Sequence, residues 1–283
     1  MSSILTNNSA MVALATLNMV NKGLNETQNR VSSGLQISSG KDNAAYFAIS
    51  ETMKGDSGMF QAINDGLTAT KNSVSTARLG SETVKDLAQQ FTERVAFAQG
   101  NGIDLSEVQS ELDSLVTQIG SAISQATFNG DDLVSAAATV TVVSGVSRTG
   151  GTFAATTMSF SSVDLTAIQT GLSSIDLTNL DTGTTDALNP NSLTEALELA
   201  ETQLGNAIAA ATSLGVAEKT LEGQQDFLSA LTDTLDKGVS AMVDADMEEE
   251  AARLQAYQVQ QQLATQSLSI ANQAPQNIMS LFR

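Results

Sequence analysis

Seven-residue ladders of apolar side chains organise most of this chain. The longest runs through Leu193, Ala200, Ala207, Leu214, Leu221, Leu228, Leu235 and Met242, the repeat of a helix that holds one stripe against a partner. A capping box, Ser192-Leu-Thr-Glu195, stands at its start just after Pro190. At a rise of 1.5 Å per residue the ladder predicts a rod of about 75 Å. A second ladder, Phe60, Leu67, Val74, Ala88 and Val95 with Ser81 as its exception, lies beside Ile63, Ala77, Val84, Phe91 and Ala98. It predicts an antiparallel partner of about 60 Å. Gly100 and Gly102 end that helix, and Asp104-Leu-Ser-Glu107 caps the next. There Leu105, Leu112, Ile119 and Ala126 pair with Val108, Leu115 and Ala122, up to a stop at Asn129-Gly130.

Residues 131–190 have a different texture. Val140 and Val142 alternate with Thr139 and Thr141, and Met158 and Phe160 alternate with Thr157 and Ser159, the period of strands with one buried face. Ser147-Arg148-Thr149-Gly150-Gly151 reads as the turn of a β-hairpin, and the Thr/Ser/Gly-rich stretch after it reads as an exposed, replaceable loop region. Glycines suggest joints at Gly55 to Gly58, making Ile37–Met59 a connector of short helical pieces, and at Lys237-Gly238.

The ends of the chain carry the most unusual pattern. From Leu254 to Phe282 no side chain is charged. Leu254, Tyr257, Ala264, Leu268, Ala271 and Ile278 fall on one helical stripe, and Val259, Leu263, Ile270, Ala274 and Leu281 extend it to an adjoining one. Gln258, Gln260, Gln262 and Gln266 stand where a water-facing helix normally carries Lys or Glu. Such amides are buried at far lower cost than charges once hydrogen-bonded. At the other terminus Ala10, Leu17, Leu24 and Val31 recur every seven residues, flanked by Leu14, Asn21, Gln28 and Leu35. Lys22, Glu26 and Arg30 are the only charges before Lys41. The termini are therefore expected to pair as helices. Two helices cannot cover each other on all sides, so copies of the same chain are expected to cover the rest, with the ends ordering on assembly.

Composition narrows the chemistry. A formal charge of -18 at pH 7 disfavours nucleic acid and anionic membranes. No Cys and no His are present, which removes thiolate chemistry, the commonest general base and the commonest zinc ligand. The 31 Asp and Glu residues include none isolated in an apolar setting. The Gly-Lys within Gly34–Lys41 is not a phosphate loop, because Asp42 follows the lysine where Ser or Thr must hold magnesium. Asp244, Asp246, Glu248, Glu249 and Glu250 lack the glycine and closing glutamate of a calcium loop and read as an acidic turn. No catalytic, metal or cofactor residue is expected, and no cofactor. The first basic residue, Lys22, lies behind the apolar N-terminal part, so no secretory signal is read there, and no apolar run reaches the eighteen residues of a membrane span.

Several segments resemble bacterial flagellins. Arg30-Val-Ser-Ser-Gly-Leu-Gln-Ile-Ser-Ser-Gly-Lys-Asp-Asn-Ala-Ala45 is similar to their N-terminal signature, and Ser269-Ile-Ala-Asn-Gln-Ala-Pro-Gln-Asn-Ile-Met-Ser-Leu-Phe-Arg283 to their C-terminal one. Gln125-Ala-Thr-Phe-Asn-Gly130 and Val243-Asp-Ala-Asp246 match their turn into the β region and their C-terminal joint, whereas 136–189 matches by position and texture. The resemblance implies a mainly α fold: an elongated antiparallel helical bundle with a small β-hairpin at its tip and paired terminal helices. It implies an inner-tube domain of 1–42 with 244–283 and a rod domain of 43–243, of which 131–190 is the β-rich outer surface, without larger outer domains. It implies a secreted, extracellular filament subunit for motility, exported unfolded. Implied partners are copies of itself, an export chaperone, the filament cap and hook–filament junction proteins, and other flagellins where a filament is mixed.

Inner-tube packing between subunits is accordingly expected at Leu14, Leu17, Leu24, Val31, Leu35, Leu254, Tyr257, Leu263, Leu268, Ile270, Ile278 and Leu281. The rod seam is expected at Phe60, Leu67, Val74, Leu214, Leu221, Leu228 and Leu235. Some flagellins are sensed by an innate immune Toll-like receptor. Val84-Lys-Asp-Leu-Ala88 and Gln109-Ser-Glu-Leu112 align Leu87 and Glu111 with contacts to it, while Thr83 stands where sensed members carry Arg. Weak or absent sensing is expected. Alternatives to a filament subunit are a hook–filament junction protein, which does not polymerise indefinitely, and an adhesin using the β tip. An enzyme embedded in a flagellin would resemble a zinc peptidase and need a His pair the chain lacks.

Overall fold

The computed structural model describes residues 7–149, 152–180, 190 and 192–281, and the surroundings of all their side chains save 148–149, 152–153 and 274–281. Helices α1 (Asn8–Ser33), α2 (Ala44–Ala98) and α3 (Leu105–Gln125) are followed by strands β1 (Thr139–Thr149) and β2 (Thr152–Ser161). Helices α4 (Leu165–Ser173), α5 (Leu193–Val243) and α6 (Met247–Leu281) complete the order. The chain divides into two compact units, Gly58–Thr232 and the remainder on either side, so that α2 and α5 each supply a part of both.

Gly58–Thr232 holds one hydrophobic core. Leu67, Val74, Ala77, Val84, Ala88, Phe91 and Val95 of α2 are buried together with Leu112 and Ile119 of α3 and Ala200, Ala207, Leu214, Leu221 and Leu228 of α5. Ser81, the polar step in the α2 ladder, is fully buried, and its hydroxyl donates to the Ala77 carbonyl at 3.0 Å. Gly80 beside it is required by closeness: a Cβ there would stand 2.3 Å from the Ala126 Cβ at the end of α3. Ion pairs stitch α2 to α5, Lys71–Glu222 at 3.7 Å and Arg78–Glu218 at 2.6 Å. The strands pair antiparallel, Val140 opposite Phe160 and Val142 opposite Met158, with these side chains half-buried against the core. The register slips between Val143 and Gly145, where the Ser144 carbonyl accepts from Gln224 of α5 at 2.7 Å.

The structure departs from the sequence reading at several places. Ser147, Arg148 and Thr149 are strand rather than turn, since Thr149 pairs with Thr152. The stretch expected to be loop contains α4, capped by the Asp164 carboxylate and burying Leu165, Ile168 and Leu172, with Ile175 and Leu177 buried after it. Helix α4 is keyed on both sides by glutamines lying over glycines, Gln169 over Gly120 of α3 and Gln203 of α5 over Gly171. Neither glycine joint is a break. A helical glycine costs about 1 kcal/mol, but opening a helix that already has turns on both sides forfeits several hydrogen bonds. Around Gly55 and Gly58, Ser57 is buried and donates to Asp236 at 2.8 Å. Gly238 serves as a close-approach site, where a Cβ would meet the Met53 Cε at 2.7 Å. The real interruptions are residues 34–43 and 244–246.

Candidate assembly surface

Helix α1 begins at a cap in which the Asn7 side chain accepts from the Ala10 amide, and ends at Gly34, whose φ of 73° admits few other residues. Along it, buried Ala13, Val20 and Thr27 alternate with half-buried Ala10, Leu17, Leu24 and Val31. The facing line on α6 is Glu250, Leu254, Tyr257, Gln261, Ala264, Leu268 and Ala271, in the same three-four spacing. The termini thus pair as expected. The companion of the α1 ladder, however, lies one residue earlier than the Leu14, Asn21, Gln28 line: Leu14 and Gln28 are exposed. Asn21 is half-buried and accepts from Gln261 at 2.7 Å, which accounts for both amides in the seam. Gly23 makes room for the Tyr257 ring, whose nearest carbon would be 2.7 Å from an added Cβ. Glu250, buried, receives Arg30 at 3.2 Å and Arg253 at 3.1 Å, locking the base of the pair.

The segments joining α1 to α2 and α5 to α6 are hydrogen-bonded to each other. Leu35 bridges Asp244, the Gln36 amide donates to the Val243 carbonyl at 2.7 Å, and the Ala245 amide donates to the Gly34 carbonyl at 2.9 Å. The Asp42 carboxylate closes its turn by accepting from the amides and hydroxyls of Ser38 and Ser39 at 3.0–3.2 Å. The Ser38 amide, then the Ser39 hydroxyl, hold its pKa below the usual carboxylate value. In the acidic turn, Asp246 accepts from the Glu248 and Glu249 amides, and these glutamates sit at the positive end of α6. Among the described residues no group of His, Cys, Asp or Glu is arranged to hold a metal ion.

The outer faces of this pair carry exposed apolar side chains among uncharged polar ones, and no described residue of the chain covers them. On α6, Val259, Leu263 and Ile270 are 55%, 59% and 69% exposed. They lie on the side opposite the seam, not on the adjoining stripe that spacing alone suggested. On α1, Met11, Val12, Leu14 and Met19 are likewise exposed, pointing away from Ala13 and Val20. Of the expected packing residues, Leu14, Leu263 and Ile270 are therefore open. Leu17, Leu24, Val31, Leu254, Tyr257 and Leu268 are half-buried in the seam, and Leu35 is half-buried in the connector. The side chains of Ile278 and Leu281 lie outside the described residues. Met11, Val12 and Met19 were not singled out by periodicity; their signal is position on the face opposite the seam, in a stretch with no charge before Lys22.

In the other unit, Leu67, Val74, Leu214, Leu221 and Leu228 are buried, and Phe60 is half-buried against the core. Leu235, beyond that unit, is half-buried. Leu87 is half-buried, Glu111 pairs with Arg94 at 3.1 Å, and Thr83 is exposed with its hydroxyl turned to the Leu79 carbonyl.

Comparison with known proteins places these elements in context. The family model of the bacterial flagellin N-terminal helical region matches residues 4–139, and that of the C-terminal helical region matches 197–282. The chain is 39% identical over 285 residues to a flagellin of Brucella melitensis, covering the whole of both chains. It is 34% identical over 320 residues to flagellin C of Rhizobium meliloti, again over the full length of both. To flagellin FljM of Caulobacter vibrioides it is 33% identical over 289 residues, spanning all of this chain and 99% of that one. No helix among the described residues is long and apolar enough to cross a membrane.

Proposed function

The chain belongs to the bacterial flagellin family and is a structural subunit of the extracellular flagellar filament, and on that premise we propose that it polymerises through the outer faces of α1 and α6. The single observation that carries this is the second apolar stripe, Val259, Leu263 and Ile270, on a helix whose first stripe is already filled by α1. A stripe on each side of a helix that carries no charge from Leu254 onward fits a helix enclosed by protein, and in a homopolymer the enclosing protein is another copy of itself. In this reading residues 1–42 and 244–283 form the inner tube, 43–243 form the rod around it, and the β-rich part of 131–190 faces outward. The small core of the terminal pair suits a chain that travels unfolded with an export chaperone, meets the cap protein at the tip and abuts the hook–filament junction. Contacts with the Toll-like receptor are expected to be weak, since Thr83 offers no guanidinium; a reporter assay responding at the potency of sensed flagellins would refute that.

Seeded polymerisation followed by electron microscopy tests the main reading. The full chain should elongate into long filaments, while a variant ending at Glu250 should stay monomeric. Short, self-limiting assemblies of the full chain would instead be the behaviour of a junction protein, and assembly of the truncated variant would remove α6 from the mechanism.

A further inference from the structure

We propose that Met11 and Met19 form a peroxide-sensitive modification site that controls entry of the free subunit into the polymer, an inference that rests on the assembly surface proposed above. Met11 and Met19 are 59% and 67% exposed and lie on the face of α1 turned away from α6. Other methionines are differently placed. Met53 lies over Gly238, Met158 packs against the rod core, and Met247, though exposed, stands among Asp244, Asp246 and Glu248. Met59 and Met242 are half-buried, so among the described methionines the exposed thioethers are Met11, Met19 and Met247, and the first two lie on the face that the proposed assembly would cover. The reaction is a two-electron oxygen transfer. The sulfur attacks one oxygen of hydrogen peroxide, the S–O bond forms as the O–O bond breaks, and the departing hydroxide takes up the proton as water. Sulfur is oxidised to the sulfoxide and peroxide is reduced. The product replaces a flexible apolar side chain with a polar acceptor, which disfavours burial against another apolar face and is reversible by methionine sulfoxide reductases.

The test treats full-length monomer and preformed filaments with hydrogen peroxide, maps sulfoxides by peptide mass spectrometry, and measures seeded elongation. Met11 and Met19 are expected to oxidise about tenfold faster than Met53 and Met158 in monomer, and at least about tenfold slower in filaments than in monomer. Oxidised monomer should elongate at least about tenfold more slowly, recover on reductase treatment, and resist the effect in the M11L/M19L variant. Oxidised monomer that elongates at the untreated rate, or a double variant that loses elongation as the parent does, overturns the modification site while leaving the assembly surface intact. Equal oxidation of both residues in monomer and filament sinks the assembly surface itself, and reductase recovery decides the matter even if the double variant assembles poorly.

Discussion

Residues 58–232 and the α1·α6 pair are written in the same seven-residue grammar, yet they hide very different shares of their apolar surface. Helix α5 meets α2 along one side, with α4 at Gly171 and β1 at Ser144 on others, so that Leu214, Leu221 and Leu228 are enclosed within this single chain. Exposed apolar residues of that unit, such as Leu79, Val216 and Phe227, are interspersed with charges, among them Arg78, Glu218 and Asp226. Among the described residues, helix α6 packs chiefly on α1, and the α1 side chains buried in their seam are Ala13, Val20 and Thr27. Burying a valine contributes about 1.5–3 kcal/mol, whereas ordering each backbone residue costs about 1–2 kcal/mol. A pair of helices closed by such small residues needs more contact to be firmly held. A heptad seam thus reports that a helix has a partner; whether the fold is complete depends on the faces opposite the seam.

The comparison breaks most plainly under deletion. Removing 251–283 should abolish polymerisation while cooperative unfolding of the Gly58–Thr232 unit, followed by circular dichroism, persists; loss of that transition would mean this unit depends on the terminal pair. Next in size, Leu221→Ala should lower monomer stability by about 2–5 kcal/mol in chemical denaturation, because it opens a cavity in a closed core. Leu263→Gln with Ile270→Gln should do the reverse. Monomer stability should stay within about 0.5 kcal/mol, yet the critical concentration for elongation should rise about a hundredfold, since two side chains lose burial in the polymer. An equal fall in monomer stability for both variants would erase the distinction between the regions.

Much of this division is legible in the sequence, and the rest is hidden for physical reasons. The ladders from Leu67 to Val95 and from Ala200 to Leu228 were legible because each step is apolar or small and each helix buries one continuous stripe. Helix α4 is not legible in the sequence because it is short and its Thr and Ser residues mask the Leu165, Ile168, Leu172 spacing behind the Asp164 cap. Gly55, Gly58 and Gly238 suggested joints, but glycine in a long packed helix also marks open surface or close approach, as Met53 over Gly238 shows. In α1, the seven-residue spacing of Leu14, Asn21, Gln28 and Leu35 points to a seam line, whereas the buried line is Ala13, Val20 and Thr27, one residue earlier. For the assembly surface, the absence of charge after Leu254 was visible in sequence, but which apolar residues α1 would cover was not. That assignment needs the geometry of the pair.

Smaller effects sharpen the account. Gly80→Ala should destabilise the rod by about 1–3 kcal/mol, because its Cβ would overlap Ala126, while filament geometry is retained. Acidification should also act on the connector. Asp42 has a folded-state pKa lowered by the Ser38 amide and Ser39 hydroxyl, so its contribution is present above the unfolded carboxylate pKa and is lost as pH falls through the lower folded value. Amide exchange at Ser38 and Ser39 should therefore accelerate only below about pH 4, beyond the intrinsic pH effect, and Asp42→Asn should flatten the response.

The most direct test of the central claim is hydrogen exchange of dilute monomer and filament measured side by side. Peptides from α3 should be protected to the same degree in both, and peptides covering 254–273 should gain at least about a hundredfold protection on polymerisation. Strong protection of 254–273 in the solitary monomer, unchanged in the filament, would contradict the account.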